Sequence, residues 1–322
     1  MISNPLLEAA NLRKSFPMRS GVFSKTTGYV RAVEGVSFSI MPGETFGLVG
    51  ESGCGKSTTG RLVLRLIEPT GGSVKFEGED LYALPKEKLR AMRRKMQIIF
   101  QDPYASLNPR MTVGATLMEP FRVHDVGAKA ERKDLAAGLL EKVGLSKDAL
   151  RKYPHEFSGG QRQRIGIARA IALNPRFIMC DEPVSALDVS VQAQVLNLLM
   201  DLKARLDMAY LFVSHDLSVV ERVCDRVAVM YLGKIMEMGP VSAVYSKHTH
   251  PYTEALLSAL PTPDPEKKMA RIRLSGEPPS AINPPAGCVF HTRCPLKKKE
   301  CESVVPPLTE RAPGHWAACI VR

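Results

Sequence analysis

The fold class of this chain is decided by the stretch Gly50-Glu51-Ser52-Gly53-Cys54-Gly55-Lys56-Ser57-Thr58. An apolar run from Thr45 to Val49 precedes it, and a helical pattern from Lys56 to Ile67 follows it. Glycines let successive backbone N–H groups surround an anion, and the helix that follows adds the positive end of its dipole. The order of strand, glycine-rich loop and helix therefore predicts a phosphate-binding loop for a nucleoside triphosphate rather than a glycine-rich turn with a chance lysine.

Two side chains of this loop are expected to act directly on the nucleotide. Lys56 can reach the β- and γ-phosphates, and the Ser57 hydroxyl can bind Mg²⁺. The other residues of the loop that we predict to contact the nucleotide are Gly50, Ser52, Gly53, Cys54, Gly55 and Thr58.

Length and composition bound the class of protein. The chain has 322 residues, of which 44% are hydrophobic and 24% charged, as in a soluble globular protein with room for one large domain and an appendage. No apolar run is long enough to cross a bilayer and no signal peptide is evident, which predicts a cytoplasmic location. The net charge of +11 permits anionic partners, but the one basic cluster, between Lys86 and Lys95, lacks the interleaved aromatic residues typical of nucleic-acid binding.

Three apolar runs predict buried strands that end in polar residues. These are Thr45 to Val49 before Gly50, Arg176 to Cys180 before Asp181 and Glu182, and Ala209 to Val213 before His215. Ligands of parallel α/β sheets bind at the carboxyl ends of the strands, so the three ends are expected to converge on one nucleotide.

Each of these polar residues suits a step of phosphoryl transfer. Asp181 would hold Mg²⁺ through water, and Glu182 would orient and deprotonate the attacking water. His215 would hydrogen-bond the γ-phosphate. Gln101 can reach the metal or the water from a loop. Each residue alone also fits a structural role, as a strand cap, a solvated carboxylate or a core histidine.

A second helix N-terminus, at Ser158-Gly159-Gly160-Gln161, also has the character of an anion site. Its small residues expose N–H groups, whereas the structural alternative is a helix capped by Ser158. One nucleotide needs only one phosphate loop. We therefore infer a head-to-tail pair of subunits, with ATP between the phosphate loop of one and this segment of the other.

The remaining chain divides into an insertion and a C-terminal part. Helical patterns predict a helical insertion from Gln101 to about Ser158. Seven prolines between Pro261 and Gly287 exclude a helix or central strand there. We predict a cassette at residues 1–245 and a C-terminal extension at residues 246–322.

These elements resemble the ATP-binding-cassette (ABC) family over about Leu6 to Tyr245. The matching positions are the phosphate loop, the glutamine at Gln101, the signature at Ser158–Gln161, the acidic strand end at Asp181-Glu182, the loop Ser185–Asp188 and the histidine His215. Phe157 stands where leucine is commoner. The resemblance implies an α/β P-loop NTPase cassette with a mixed sheet core, an antiparallel β part and a helical insertion. It also implies an aromatic residue stacked on adenine, either Phe16 or Tyr29, although Phe16 could be part of the core.

The C-terminal part is similar to the ATPase subunits of bacterial dipeptide and oligopeptide (peptide/nickel) importers, nearest to their dipeptide-permease F type. The residues that carry this likeness are His250-Pro251-Tyr252-Thr253 and Asp102–Pro109. The resemblance implies an ATPase on the cytoplasmic face of the inner membrane. Its expected partners are a second ATPase subunit, either a paralogue or an identical chain, two transmembrane permeases and an extracytoplasmic solute-binding protein.

The tail carries four cysteines with the spacing Cys288-x5-Cys294-x6-Cys301-x17-Cys319. Four thiolates suit a [4Fe–4S] cluster or zinc, and the spacings are wider than those of common structural zinc sites. Similar tails in related peptide-importer ATPases are implicated in iron–sulfur binding, which favours the cluster. Zinc, with His291 or His315 replacing one cysteine, and free reduced thiols are the alternatives.

Two other functions are compatible with the motor. One is an importer ATPase for nickel or another small solute. The other is a soluble cassette ATPase that acts on nucleic acid or ribosomes. Such proteins usually carry two cassettes or a coiled-coil insertion, and this chain has one cassette without sustained heptads. We therefore predict no nucleic-acid partner.

Overall fold

The computed structural model describes residues 4–20, 25–260 and 271–322. Their contacts divide the chain into two compact units. The first comprises the described residues within Met1–Ile40, Thr45–Tyr82 and Val213–Arg322, and the second comprises Met41–Glu44 and Ala83–Phe212.

The described residues form strands, α-helices and short 3₁₀ turns. The strands are β1 (Leu7–Ser20), β2 (Lys25–Ile40), β3 (Thr45–Val49), β4 (Gly71–Phe76), β5 (Glu79–Asp80), β6 (Met96–Ile99), β7 (Phe177–Asp181), β8 (Ala209–Ser214), β9 (Arg226–Tyr231), β10 (Lys234–Pro240), β11 (Thr309–Ala312) and β12 (His315–Ala317). The α-helices are α1 (Lys56–Val63), α2 (Lys86–Met92), α3 (Val113–Val123), α4 (Arg132–Lys142), α5 (Gly159–Ala170), α6 (Val189–Leu206), α7 (Leu217–Val223), α8 (Val241–Ser246) and α9 (Pro251–Leu257). The 3₁₀ turns are Lys147–Arg151, Pro154–Glu156, His291–Arg293 and Lys299–Glu302.

The first unit contains two sheet regions. One is an antiparallel sheet in the order β2-β1-β4-β5. The other runs β11-β12-β10-β9-β3, with β3 parallel to β9 and the remaining pairs antiparallel. This unit therefore contains the antiparallel part that the resemblance implied, together with the phosphate loop that follows β3.

The second unit combines a small sheet with helices. Its strands lie in the order β8-β7-β6, and β6 is parallel to β7. Residues 101–158 contain α3, α4 and two 3₁₀ turns and no strand, as expected of a helical insertion. The hydroxyl of Thr112 caps α3 by accepting the N–H of Ala115, which fixes where that helix begins.

The apolar runs form strands because both of their faces are covered. Every residue of β3, β7 and β8 is buried, which is why these strands read as continuous apolar runs rather than alternating patterns. Helix α6 buries one stripe, formed by Val195, Leu196, Leu199 and Leu202, and exposes its other face.

One predicted boundary is wrong. The helix after the phosphate loop was expected to reach Ile67, but α1 ends at Val63, and Arg65 adopts a left-handed φ of 46°.

The proline-rich arm agrees with its prediction where the structure describes it. Residues 271–287 contain no helix or strand, and residues 261–270, with three of the seven prolines, lie outside the described residues. The arm packs against β2, because the carbonyl of Ala281 accepts the N–H of Arg31 at 3.0 Å.

An aromatic core joins the C-terminal extension to the rest of the first unit. Phe290 is fully buried and lies 5.3 Å from the ring of Tyr231 in β9 and 5.2 Å from that of Tyr252 in α9. The two tyrosine rings lie 4.8 Å apart. Three large rings excluded from water give the extension a substantial hydrophobic anchor.

Candidate nucleotide site

The phosphate loop leaves β3 and enters α1 through two positions that only glycine can occupy. Gly50 and Gly55 have φ angles of 147° and 105°. A Cβ atom would lie 2.2 Å from the carbonyl oxygen of Met230 at Gly50, and 2.2 Å from that of Ala32 at Gly55. The loop is therefore pressed against neighbouring backbone on its outer side, which fixes its curvature.

Lys56 lies across this loop rather than in solvent. Its Nζ donates to the carbonyls of Gly50 at 2.8 Å and Glu51 at 3.0 Å, and its side chain is buried. Helix α1 has no side-chain cap and no acidic residue in its first turn. A cation and a helix N-terminus without a side-chain cap thus occupy one loop, an arrangement suited to a polyphosphate.

The other residues of the loop differ in exposure. Ser52 and Gly53 are exposed, whereas Ser57 and Thr58 are partly buried. The Cys54 thiol is buried 3.9 Å from Nζ of Lys56. Burial raises the pKa of Cys54, although the lysine charge opposes this shift.

Both aromatic candidates for adenine stacking lie on the β1–β2 hairpin. Phe16 is 39% exposed and Tyr29 55% exposed. They occupy adjacent register positions, since Phe16 is opposite Val30 and Tyr29 is opposite Pro17. The alternative that Phe16 belongs to the core is wrong, and both rings remain candidates.

His215 follows β8 and is exposed. The carboxylate of the next residue, Asp216, accepts the N–H groups of Ser218 and Val219 and so caps α7. The strand end and this cap fix the backbone on both sides of the histidine.

In the second unit, Asp181 and Glu182 lie where β7 ends. Asp181 is buried, and Glu182 adopts a left-handed φ of 45°, which is unfavourable for a residue with a Cβ. The amide Nε2 of Gln101 donates to Oε2 of Glu182 at 2.9 Å. The hydroxyl of Ser185 donates to the Glu182 carbonyl at 3.1 Å and braces the same turn. Strained backbone of this kind is concentrated at functional sites.

The segment Ser158–Gln161 begins α5 as a reciprocal capping box. The Ser158 hydroxyl accepts the Gln161 N–H at 3.3 Å, and the Gln161 side chain accepts the Ser158 N–H at 3.0 Å. A Cβ at Gly160 would lie 2.4 Å from Cγ1 of Val191, so close packing on α6 requires glycine there. The cap and the packing place this helix N-terminus at a fixed position.

The two arginines that follow this segment serve the fold. Arg162 is buried, donates to the carbonyls of Pro154 and His155, and stacks 3.7 Å from the ring centroid of Tyr104. Arg164 donates to the carbonyl of Val143. Both cations thus bind backbone carbonyls of their own chain.

Known proteins resemble this chain over its whole length. Residues 33–185 match the ABC transporter family model, and residues 236–301 match the model of the oligopeptide/dipeptide transporter C-terminal region. The oligopeptide transport ATP-binding protein AppF of Bacillus subtilis is 54% identical over 98% of this chain and 96% of its own length. A probable peptide ABC transporter ATP-binding protein of Sinorhizobium fredii is 54% identical over 100% of this chain and 91% of its own length.

This chain belongs to the ATP-binding proteins of peptide ABC transporters. Its fold matches the ATP-binding cassette MJ0796, solved as a dimer in a post-hydrolysis state with ADP and Pi, at a TM-score of 0.65 and 28% identity over 73% of this chain and 98% of that one. The predicted ABC cassette fold is confirmed, and ATP and Mg²⁺ are the ligands expected of this ABC ATPase. No described helix of this family member has the length and apolar character needed to cross a bilayer.

The metal site predicted in the tail of this peptide-transporter subunit is not supported. The family model of the C-terminal region covers three of the four cysteines. Nowhere in residues 4–20, 25–260 and 271–322 do three or more His, Cys, Asp or Glu side chains gather closely enough to hold a metal ion. The histidines of the zinc alternative have other partners, since Nε2 of His315 bonds Glu237 and Nδ1 of His291 contacts the Cys288 carbonyl.

Sequence reasoning missed a contact that reaches the phosphate loop of this ABC subunit from its tail. The guanidinium of Arg293 donates to both carboxylate oxygens of Glu51, at 2.8 and 3.2 Å. The Tyr252 hydroxyl accepts the Glu51 N–H at 3.0 Å. The acidic residue Glu51 inside the glycine-rich loop was the sequence signal for a basic partner. No local spacing predicted that this partner would be Arg293.

Proposed function

We propose that this chain is the ATP-hydrolysing subunit of an importer for dipeptides or oligopeptides, bound peripherally to permeases at the cytoplasmic face of the inner membrane. The observation that carries the proposal is the contact of Gln101 with Glu182 on a strained backbone at the end of β7. A carboxylate held in this way is suited to deprotonating water, and strained backbone is concentrated at functional sites.

Nucleotide binding is assigned to the phosphate loop. Lys56 and the N–H groups at the start of α1 would hold the β- and γ-phosphates, while Ser57, Gln101 and Asp181 would complete the Mg²⁺ site. The fixed curvature at Gly50 and the buried position of Lys56 support this assignment. Phe16 or Tyr29 would stack on adenine.

Hydrolysis is assigned to Glu182 and His215. Glu182 takes a proton from water, whose oxygen bonds to the γ-phosphorus as the bond from that phosphorus to the β–γ bridging oxygen breaks. The products are ADP and inorganic phosphate. His215 donates a hydrogen bond to the γ-phosphate, and the Gln101 amide keeps the carboxylate turned toward the water.

A head-to-tail pair of subunits is part of the proposal. The capped N-terminus at Ser158–Gln161 would bind the γ-phosphate held by the other subunit's loop. The capping box and the close packing at Gly160 support a preset anion site, since both fix the helix end without a bound ligand. The second subunit is a paralogue or an identical chain.

The cargo follows from the relatives, which are named as peptide transport proteins. Two transmembrane permeases would receive the conformational change, and an extracytoplasmic solute-binding protein would deliver the peptide. Nickel or another small solute is the alternative cargo, since the cassette itself would not touch the substrate.

For the tail, we propose a [4Fe–4S] cluster held by Cys288, Cys294, Cys301 and Cys319. Two of these sulfurs accept a backbone N–H at 3.4 Å, Cys301 from Lys298 and Cys319 from Val321. Hydrogen bonds of this kind stabilise the thiolates of iron–sulfur clusters and tune their redox potential. Zinc is the alternative, although the spacings of these cysteines are wider than those of common structural zinc sites.

Iron and sulfide analysis of anaerobically purified protein tests the cluster. We expect about four irons per chain if the cubane is complete, and a Cys294→Ser variant should lose the brown absorbance. Colourless protein that carries zinc would contradict the proposal.

Glu182→Gln tests the catalytic assignment. The amide keeps the shape of the carboxylate but cannot accept a proton, so kcat should fall by about 10²–10⁴-fold while ATP affinity stays within about threefold. The matched control is Glu141→Gln, an exposed carboxylate on α4 of the same unit, which should hydrolyse ATP normally.

The same variant tests the paired subunits. With hydrolysis blocked and ATP bound, light scattering of the chain together with its partner subunits should show a closed pair. Near-normal hydrolysis by Glu182→Gln would place the general base elsewhere. Monomers alone, even with the partners supplied, would contradict the head-to-tail pair.

A further inference from the structure

The outer side of the phosphate loop is held by the C-terminal extension. The two N–H···O bonds from Arg293 to Glu51 form a bidentate pair, although the residues are 242 positions apart in the chain. The Arg293 side chain is 8% exposed and the Glu51 side chain 26% exposed. A planar two-bond pair that is largely withdrawn from water is directional and stronger than an exposed ion pair.

Glu51 is tied to its surroundings through three different groups. Its carboxylate binds Arg293, its N–H donates to the Tyr252 hydroxyl at 3.0 Å, and its carbonyl accepts Nζ of Lys56 at 3.0 Å. Tyr252 is fully buried in α9. The extension therefore fixes the residue on which the phosphate-binding lysine rests.

Arg293 is itself held in place. It is the last residue of the His291–Arg293 turn, three residues after the buried Phe290. Its guanidinium lies 5.9 Å from the ring centroid of Tyr231. Burial lowers the pKa of Arg293, but the hydrogen bonds and charge of Glu51 outweigh this and leave the pKa above its usual range. Each member of the charged pair thus depends on the other, because removing one leaves the other charge without its partner.

We propose that Arg293 is a positioning residue for ATP binding, which acts through Glu51 to hold the phosphate loop and Lys56 ready for the triphosphate. This inference rests on the proposed phosphate-binding role of Lys56. It predicts that the extension, beyond any contact with transporter partners, sets the nucleotide affinity of the cassette. Glu182 and His215 are not part of this linkage, so turnover at saturating ATP should be largely independent of it.

The test compares ATP Kd, KM and kcat of full-length Arg293→Ala with those of the unaltered chain. We expect about a tenfold rise in Kd and KM, equivalent to about 1.4 kcal/mol, with kcat within about threefold. The matched control is Arg322→Ala, which removes an ion pair to Glu254 at 2.7 Å in the same extension without touching the loop, and should leave Kd unchanged.

Charge reversal keeps the inference testable if Arg293→Ala does not fold. Glu51→Arg and Arg293→Glu should each weaken ATP binding, and the double variant should recover at least half of the lost affinity in logarithmic terms. Failure of the double variant to recover would overturn the inference. So would an unchanged Kd in Arg293→Ala with a lowered melting temperature, which is the result of a purely structural pair.

Lys56→Ala separates this inference from the function on which it rests. If Lys56→Ala binds ATP with unaltered affinity, the proposed phosphate role of Lys56 fails. If Lys56→Ala loses binding while Arg293→Ala does not, only the positioning role of Arg293 fails.

Discussion

Replacement of Glu237 by leucine should detach part of the C-terminal extension from the body of the first unit. Glu237 lies in β10 and is fully buried. Its carboxylate accepts the N–H groups of Thr249 at 2.6 Å and His250 at 2.9 Å, and it bonds Nε2 of His315 at 2.7 Å. One side chain thus joins the entrance to α9 and strand β12 to the sheet.

The magnitude follows from the groups that leucine would leave without an acceptor. Two N–H groups lose their partner, at about 1–3 kcal/mol each, which gives about 2–6 kcal/mol before the loss at His315 is counted. That is a large part of the roughly 5–15 kcal/mol that stabilises a typical domain. Glu237→Gln retains one oxygen that accepts a hydrogen bond, so about half of this loss is expected.

Hydrogen exchange measured by mass spectrometry is the appropriate assay, because the opening should be local. Amides of residues 249–257 and 315–318 should exchange at least about 30-fold faster in Glu237→Leu. This factor corresponds to the lower bound of about 2 kcal/mol, since each 1.4 kcal/mol changes the opening equilibrium about tenfold. The control is Glu254→Leu, which replaces a partly exposed carboxylate in the same extension and should change exchange by less than about fivefold. Equal exchange in Glu237→Leu and the control would refute the reasoning.

Two further predictions concern the loop and the acid range. Gly55→Ala places a Cβ 2.2 Å from the carbonyl of Ala32 at a φ of 105°, so ATP binding measured by calorimetry should fall by at least about tenfold, and unaltered affinity would contradict the described curvature. Burial, with a smaller contribution from Arg322, lowers the pKa of His250 to about 3. Below pH 6.5 the unfolded chain therefore binds a proton at His250 that the folded chain does not bind. The free energy of unfolding should fall by about 1.4 kcal/mol per pH unit toward pH 3. His250→Asn, which can still accept the Tyr252 N–H, should reduce that slope in urea unfolding at pH 7, 5.5 and 4.5, and an unchanged slope would assign the acid loss to other groups.

Strands covered on both faces were predictable from sequence, and exposed strands were not. Buried apolar runs marked β3, β7 and β8 to within a residue because burial leaves little choice of side chain. All four residues of β11 are exposed, so no apolar pattern in the sequence predicts that strand. It forms because β12 lies between it and β10 and supplies its hydrogen bonds.

The residues of the candidate site also divide into those that the sequence predicts and those that it does not. Residues whose roles depend on local backbone, such as Lys56 after its glycine loop and Ser158 as a helix cap, follow from short-range spacing. The bond between Gln101 and Glu182 joins residues 81 positions apart, and only the order of motifs suggested that they would meet. No periodicity links Glu51 to Arg293, because their contact depends on how the whole extension packs.

The Glu237 contacts reach Glu51 through Tyr252, and Arg293 binds the same Glu51, so stability and nucleotide binding should be interdependent. Glu237 holds the backbone N–H of His250, two positions before Tyr252, and the Tyr252 hydroxyl holds the N–H of Glu51 in the phosphate loop. If Glu237→Leu loosens the start of α9, that hydroxyl should lose its fixed position while Arg293 still binds the Glu51 carboxylate. ATP affinity should then weaken, but less than in Arg293→Ala, and Glu237→Leu combined with Arg293→Ala should weaken it further. Faster exchange at residues 249–257 with wholly unaltered ATP affinity would show that the arginine alone holds the loop and that Tyr252 contributes only packing.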